Sequence, residues 1–382
     1  MNPIKRRERL LIGILAVVAM VGVLAVIRSQ PWGRVDLRLL KPNTLNWIVC
    51  VRLNEDGYGD LMMLLPDGKT LMLTEDPYDD RDPDWAPDGK KLVFSSNRRD
   101  NVYQLWTIDP DGKGLSQLTI GGGAKFAPCY DRDGTHILHV AQGLVTDIDV
   151  KGVHATQLIP LPAQMVQVRE VYGQVAFRYA KRPIPTLIAA VQRTDEGEQA
   201  VLQDLSTAQQ QFVLPVLLAG ERVDLDWSPQ GQSLVVAGTG LLIPTPQGER
   251  RTGGVIRFDL KEGTREVEPI PLWLSPDNTQ GAVEVVWSPD GSRVAFVLVE
   301  RRADGTLKRL ALASVPEDGG EPTVIVRGEI YHPHWSPDGQ YLVFAKGKPG
   351  NRQIYTVRYD GAELTQRTQA GDHITPRWSP AR

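Results

Sequence analysis

The 382 residues carry 43 Lys+Arg against 46 Asp+Glu, a net charge of -3, so the chain has no basic field for a phosphate backbone and nucleic-acid binding is excluded as its main role. An apolar content of 41% can fill a large core, which argues against intrinsic disorder. With only two Cys there is neither a disulfide framework nor a four-Cys zinc site.

In chain order, the first predicted element is a membrane span. Leu10 to Ile27 is an uncharged run of 18 residues, roughly 27 Å long as a helix, enough to cross a hydrocarbon core. Lys5, Arg6, Arg7 and Arg9 precede it, and this basic tail at 1–9 is expected to stay in the cytoplasm while the rest of the chain crosses as a signal anchor. A cleaved signal peptide is the competing expectation, with Val23-Leu24-Ala25 as a small-residue site. Either places the remaining chain on the periplasmic or extracellular side. Residues 28–45, with Pro31, Trp32 and Pro42, read as a spacer.

From residue 46 onward the pattern has period two. Three strands are predicted at 47–53, 60–65 and 70–74, with a tight turn at Asp67-Gly68, where Gly takes positive φ without a Cβ clash. A repeat follows. Asp84-Trp85-Ala86-Pro87-Asp88-Gly89 recurs as Trp227-Ser228-Pro229-Gln230-Gly231, Trp287-Ser288-Pro289-Asp290-Gly291 and Trp335-Ser336-Pro337-Asp338-Gly339, and ends as Trp378-Ser379-Pro380. Weaker copies stand at Tyr130 and Tyr179, giving spacings of 45, 49, 48, 60, 48 and 43 residues. Each unit carries further strands, such as Lys91–Phe94 and Gln104–Ile108, or Tyr341–Phe344 and Gln353–Val357, before an Asp-Gly turn.

Such units predict an all-β, closed β-propeller of four-stranded blades over 46–382. Seven blades are expected, or six if Tyr179 is not a repeat position. The first unit lacks the strand that begins with the aromatic motif, and residues 373–380 supply only that strand, so the C-terminus is predicted to close the ring.

These motifs resemble the TolB-like, WD40-like (PD40) propeller family, whose repeat reads Pro-x-Trp-Ser-Pro-Asp-Gly before a short hydrophobic strand. The resemblance covers roughly residues 46–382 and implies the propeller fold, while the functions of the family are diverse. Prolyl-oligopeptidase-class peptidases carry similar propellers beside an α/β-hydrolase domain, but the sequence has no Gly-x-Ser-x-Gly, and no catalytic residue is assigned.

Two candidate sites emerge. Counting back one and three residues from each repeat aromatic gives a polar set, placed by alternation on the central channel: Asp82, Asp84, Arg178, Asp224, Asp226, Glu284, His332, His334 and Arg377. Its carboxylates and the two His offer hard and borderline ligands for a divalent cation, although pairing with Arg178 and Arg377 is the plainer expectation and no cofactor is required. Longer insertions at 160–173, 238–253 and 268–281 predict loops on one side of the ring. Two of them carry Leu241, Leu242, Ile243, Leu272, Trp273 and Leu274, read as a partner-contact patch. On the same side Glu75, Asp76, Asp79, Asp80 and Asp82 form an acidic stretch. Cys50 and Cys129 fall on different units and are not expected to pair. The main expectation is thus a membrane-anchored, non-enzymatic propeller binding a protein, peptide or glycan; the alternative is a metal-dependent propeller enzyme acting on a carbohydrate or similar polar substrate.

Overall fold

The computed structural model describes residues 46–380 apart from 132, 142–143, 152–154, 160–186, 195–196, 205–210, 219–222, 246–247 and 261–268. The predicted anchor at 10–27, its flanking segments and Tyr179 lie outside the described residues. Among the described residues no helix is long and apolar enough to cross a membrane.

Among the described residues every element is a strand. Antiparallel meanders give β4 (Asp80–Trp85), β5 (Leu92–Ser96), β6 (Gln104–Ile108) and β7 (Ser116–Gln117) as one sheet, and β8 (Lys125–Tyr130), β9 (His136–Ala141), β10 (Leu144–Asp149) and β11 (Ala155–Ile159) as the next. Further along stand β19 (Gln280–Trp287) to β20 (Arg293–Arg301), β21 (Leu307–Pro316) and β22 (Thr323–Arg327), then β23 (Ile330–Trp335), β24 (Tyr341–Lys346), β25 (Gln353–Arg358) and β26 (Thr365–Gln366). A fifth sheet joins the first and last described strands: β27 (Asp372–Trp378) pairs antiparallel with β1 (Ile48–Leu53), which continues to β2 (Gly59–Leu64) and β3 (Thr70–Met72). The closing strand expected from the C-terminus is therefore in place, and it removes the open edge of β1.

The middle of the chain departs from the simple repeat. Here β12 (Leu187–Thr194), β13 (Gly197–Asp204), β14 (Gln211–Leu218), β15 (Val223–Trp227), β16 (Ser233–Thr245), β17 (Gly248–Asp259) and β18 (Pro269–Leu274) form one seven-stranded sheet. Its two parts join where Leu217 and Leu218 of β14 pair with Leu242 and Leu241 of β16. The described residues thus form five four-stranded sheets and one of seven strands.

The repeat motif has a local physical cause. In Trp-Ser-Pro-Asp-Gly the Ser288 hydroxyl donates to Asp290 at 2.6 Å and accepts the Arg293 N–H at 3.0 Å, while Asp290 also accepts the Ser292 N–H. Ser336, Asp338, Gln340 and Tyr341 repeat the same network. Gly291 and Gly339 close these turns at φ 80° and 68°, a region an L side chain enters only with strain. The core lies between sheets. Ile48, Cys50, Met62 and Leu64 of one blade pack on Val343, Ala345, Ile354 and Trp378 around the closing junction. Phe94, Phe296 and Phe344 are fully buried, each stabilising the fold by roughly 1.5–3 kcal/mol relative to exposure.

Candidate functional site

The innermost strands carry the polar set expected on the channel, and the structure gives it a different job. Strict alternation fails because four of these strands are bulged: the register slips between Arg81 and Asp84, Phe126 and Cys129, Val283 and Val286, and Tyr331 and His334. β27 slips likewise between Ile374 and Arg377 against β1. At each bulge the residue three before the aromatic takes positive φ: Asp82 at 51°, Ala127 at 49°, Glu284 at 53°, His332 at 52° and Thr375 at 48°. Two residues then oppose one, and Pro83, Pro128, Pro333 and Pro376 occupy the site whose N–H the ladder no longer needs. β15 pairs without a slip.

This geometry turns the side chains onto the neighbouring blade. Asp82 and Asp84 accept the backbone N–H groups of Ala127 and Tyr130 at 3.3 and 2.9 Å. Asp224 and Asp226 take those of Glu284 and Trp287 at 2.7 and 2.8 Å, and Glu284 takes that of His332 at 2.6 Å. His332 Nδ1 then accepts the Thr375 N–H at 3.3 Å and His334 Nδ1 the Trp378 N–H at 3.4 Å. The Trp85 and Trp335 indoles add N–H donations to the carbonyls of Arg377 and Val286. The polar set is thus brought together as a belt of clamps between inner strands. Arg178 lies outside the described residues. Arg377 Nη1 bonds the Pro376 carbonyl, and its charge, with that of Arg81, offsets part of the burial that pushes the Asp82 carboxyl up. Glu284 finds its cation elsewhere, in Arg309 at 2.7 Å.

A metal centre built from the channel carboxylates and His332 and His334 is not what these contacts form. Each of these acids accepts a backbone N–H, and both His accept one at Nδ1. Among the described residues, the ligand-type side chains that converge are Asp60, Asp76 and Asp80. There burial and the charges of Asp80 and Asp76 push the Asp60 carboxyl up to about 6. Arg98 bonds Asp76 at 3.0 Å and Asp80 at 2.7 Å, and its guanidinium lies 5.2–5.8 Å from the ring centres of Tyr78, Phe94 and Trp106. The acidic stretch is therefore largely a paired structural cluster.

The expected contact patch is corrected outright. Leu241, Leu242 and Ile243 are not loop residues but the extension of β16, paired with Thr252, Arg251 and Arg250 of β17. Leu272, Trp273 and Leu274 end β18. Leu241, Ile243, Leu272 and Trp273 are buried, Leu242 and Leu274 partly so, and Trp273 stacks on Phe296 at 5.6 Å. Apolar runs in long insertions gained more by lengthening strands and packing than by standing in water. The insertion at 160–173 lies outside the described residues. Neither Cys50 nor Cys129 forms a disulfide, and burial pushes the Cys50 thiol well up.

The exposed apolar surface lies elsewhere. Tyr58, Tyr78, Val102 and Ile120 are 46%, 39%, 37% and 76% exposed. They sit in the β1–β2 loop, the link to β4, the β5–β6 loop and the link to β8, which emerge on one side of neighbouring sheets. Contacts hold these loops together: Arg81 donates to the Gly57 carbonyl, the Tyr103 hydroxyl to Asp79, and the Gly59 N–H to Asp79 at 2.6 Å. The Tyr103 phenol is pushed up by burial and by that bond. Sequence inspection missed this rim because each residue is isolated among polar neighbours, and only the fold gathers them.

Inner strands that contact the next sheet in turn, β4 to β8, β15 to β19, β19 to β23 and β23 to β27, with β27 paired to β1, are the arrangement of a β-propeller. No family model matches the chain. A Tol-Pal system protein TolB from Xanthomonas oryzae pv. oryzae is 32% identical over 231 residues, 56% of this chain and 47% of that protein, so the match spans about half the length of the relative. The crystal structure of TolB from Acinetobacter baumannii superposes with a TM-score of 0.51 at 16% identity, over 88% of this chain and 67% of that one. An oligogalacturonate lyase in complex with manganese gives 0.57 at 15% identity over 85% of each chain, a likeness of fold. The chain has a β-propeller fold and is similar to TolB proteins over about half of its length.

Proposed function

We propose that the chain is a non-enzymatic, partner-binding propeller whose contact surface is the rim of Tyr58, Tyr78, Val102 and Ile120. The observation that carries this reading is the exposure of those four apolar side chains on adjoining loops, while Leu241, Leu242, Ile243, Leu272, Trp273 and Leu274 are drawn into strands. Aromatic and aliphatic side chains on loops held by a rigid scaffold are the usual anchors of a protein interface. Similarity to TolB proteins supports a protein or peptide partner. The N-terminal sequence adds a placement: a single-pass anchor at 10–27 with the propeller on the periplasmic or extracellular side. The metal-dependent carbohydrate enzyme draws no support from the channel belt, where among the described residues no ligand set converges.

The test is photo-cross-linking from positions 58 and 78 of the anchored protein in its native membrane. A specific protein partner is expected, and it should be lost from a Tyr58→Ser, Tyr78→Ser, Ile120→Ser variant whose thermal unfolding matches the parent. Undiminished capture of the same partner by that variant would sink the proposal.

A further inference from the structure

The junction between β23 and the closing strand β27 is clamped with a chemistry that the other junctions among the described residues do not show. Asp82 and Asp84 hold β8, Asp224 and Asp226 hold β19, and Glu284 holds β23, all through carboxylate oxygens. The closing strand β27 is held instead by two imidazoles of β23, His332 Nδ1 on the Thr375 N–H and His334 Nδ1 on the Trp378 N–H. Both acceptors are ring nitrogens that must be unprotonated to accept. A carboxyl group that takes a proton keeps a carbonyl oxygen able to accept the same N–H; an imidazolium has two donors and no acceptor.

We propose that His332 and His334 form an acid-labile clasp on β27, holding the closing strand while their rings are neutral and releasing it when they are protonated. The carboxylate junctions stay shut over the same change. Closure and protonation compete for the same nitrogens, so the stability contributed by the clasp is present above the ordinary histidine range near pH 6.5 and is lost as pH falls through it.

The charges around the clasp act on both sides. From β19 comes Glu284, whose Oε2 accepts the His332 N–H and whose Oε1 pairs with Arg309 of β21. Arg309 and Arg352 of β25 lie over the Tyr331 ring at 4.1 and 5.5 Å. β27 brings Arg377, Asp372 in its pair with Arg352, and His373, held below its ordinary range by burial. β24 adds Tyr341 and Lys346 at its ends, and β20 adds Arg293, Glu300 and Arg301. Arg309, Arg352 and Arg377 oppose positive charge at the junction, while Glu284 and Asp372 favour it.

Release exposes a specific pair of amides, which makes the experiment direct. Hydrogen exchange of the full chain is followed from pH 7.5 to 5.5, with protection corrected for intrinsic exchange. Protection at Thr375 and Trp378 should fall by about tenfold or more relative to Ala127, Tyr130, Glu284 and Trp287. His332→Asn with His334→Asn keeps a side-chain oxygen acceptor that does not titrate, and should hold protection level across the range. Equal protection at both pH values, or the same loss in the double variant, overturns the clasp. Should the double variant fail to fold, the imidazole ¹⁵N shifts of the parent decide: protection must fall together with titration of His332 and His334, and loss without their titration overturns the proposal as well.

Discussion

At the scale of single residues, the inner-strand acids matter for what they accept. Asp226 is buried and takes two backbone N–H groups, its neighbour Trp227 at 2.9 Å and Trp287 of the next sheet at 2.8 Å. Removing the acceptor leaves the Trp287 N–H buried without that partner, so Asp226→Ala should lower unfolding stability by about 1–3 kcal/mol. Asp226→Asn retains an oxygen and should lose less; chemical denaturation of the two variants side by side checks this. Residue identity at these positions was legible in the sequence, but its meaning was not. Counting by twos picked out Asp82, Asp84, Asp224, Asp226, Glu284, His332 and His334 as one set, yet all of them reach the adjacent blade, from bulged strands except for Asp224 and Asp226 of the regular β15. Pro83, Pro128, Pro333 and Pro376 were the available signal, since Pro inside a strand points to a bulge.

At the scale of elements, the long β16–β17 hairpin shows how an insertion becomes structure. Gly253 and Gly254 sit where backbones approach closely: a Cβ on Gly253 would lie 2.0 Å from the Gln280 carbonyl oxygen, and one on Gly254 2.3 Å from that of Trp273. Gly253→Ala should therefore force the β17–β19 contact apart and lower the thermal midpoint, at a cost of roughly 1–3 kcal/mol. A comparable change at Gly281, whose Cβ would meet the Thr239 methyl at 2.3 Å and the Gly238 carbonyl oxygen at 2.9 Å, supplies the comparison. A second recurring device escaped sequence reading. The Thr119 hydroxyl accepts the Leu105 N–H and donates to Gln104, and Thr368 does the same for Ile354 and Gln353, tying each short outer strand to its neighbour. The signal is a Thr two or three residues past the last strand of a unit, too short a pattern to stand out alone.

For the whole molecule, closure through β27 is the feature on which the others depend. Removing residues 372–382 would strip Ile374 and Trp378 from the core beside β1 and leave the β1 edge unpaired. An open strand edge is a template for pairing with other chains. The truncated protein should elute as oligomers or aggregates in size-exclusion chromatography where the parent elutes as a discrete species; a monomeric, cooperatively folding truncation would show that closure contributes little.

The sequence by itself determined the repeat, the all-β architecture, the turns and the closing strand, because each depends on short-range chemistry: Ser and Asp bonding backbone within one turn, Gly at positive φ, and alternation along a single strand. Only the tertiary structure decided which side chains face water and which clamp a neighbouring blade. Leu241, Leu272 and Trp273 became core, and Tyr58, Tyr78 and Ile120 became rim, because burial is settled by partners far away in the chain, and no local pattern records them.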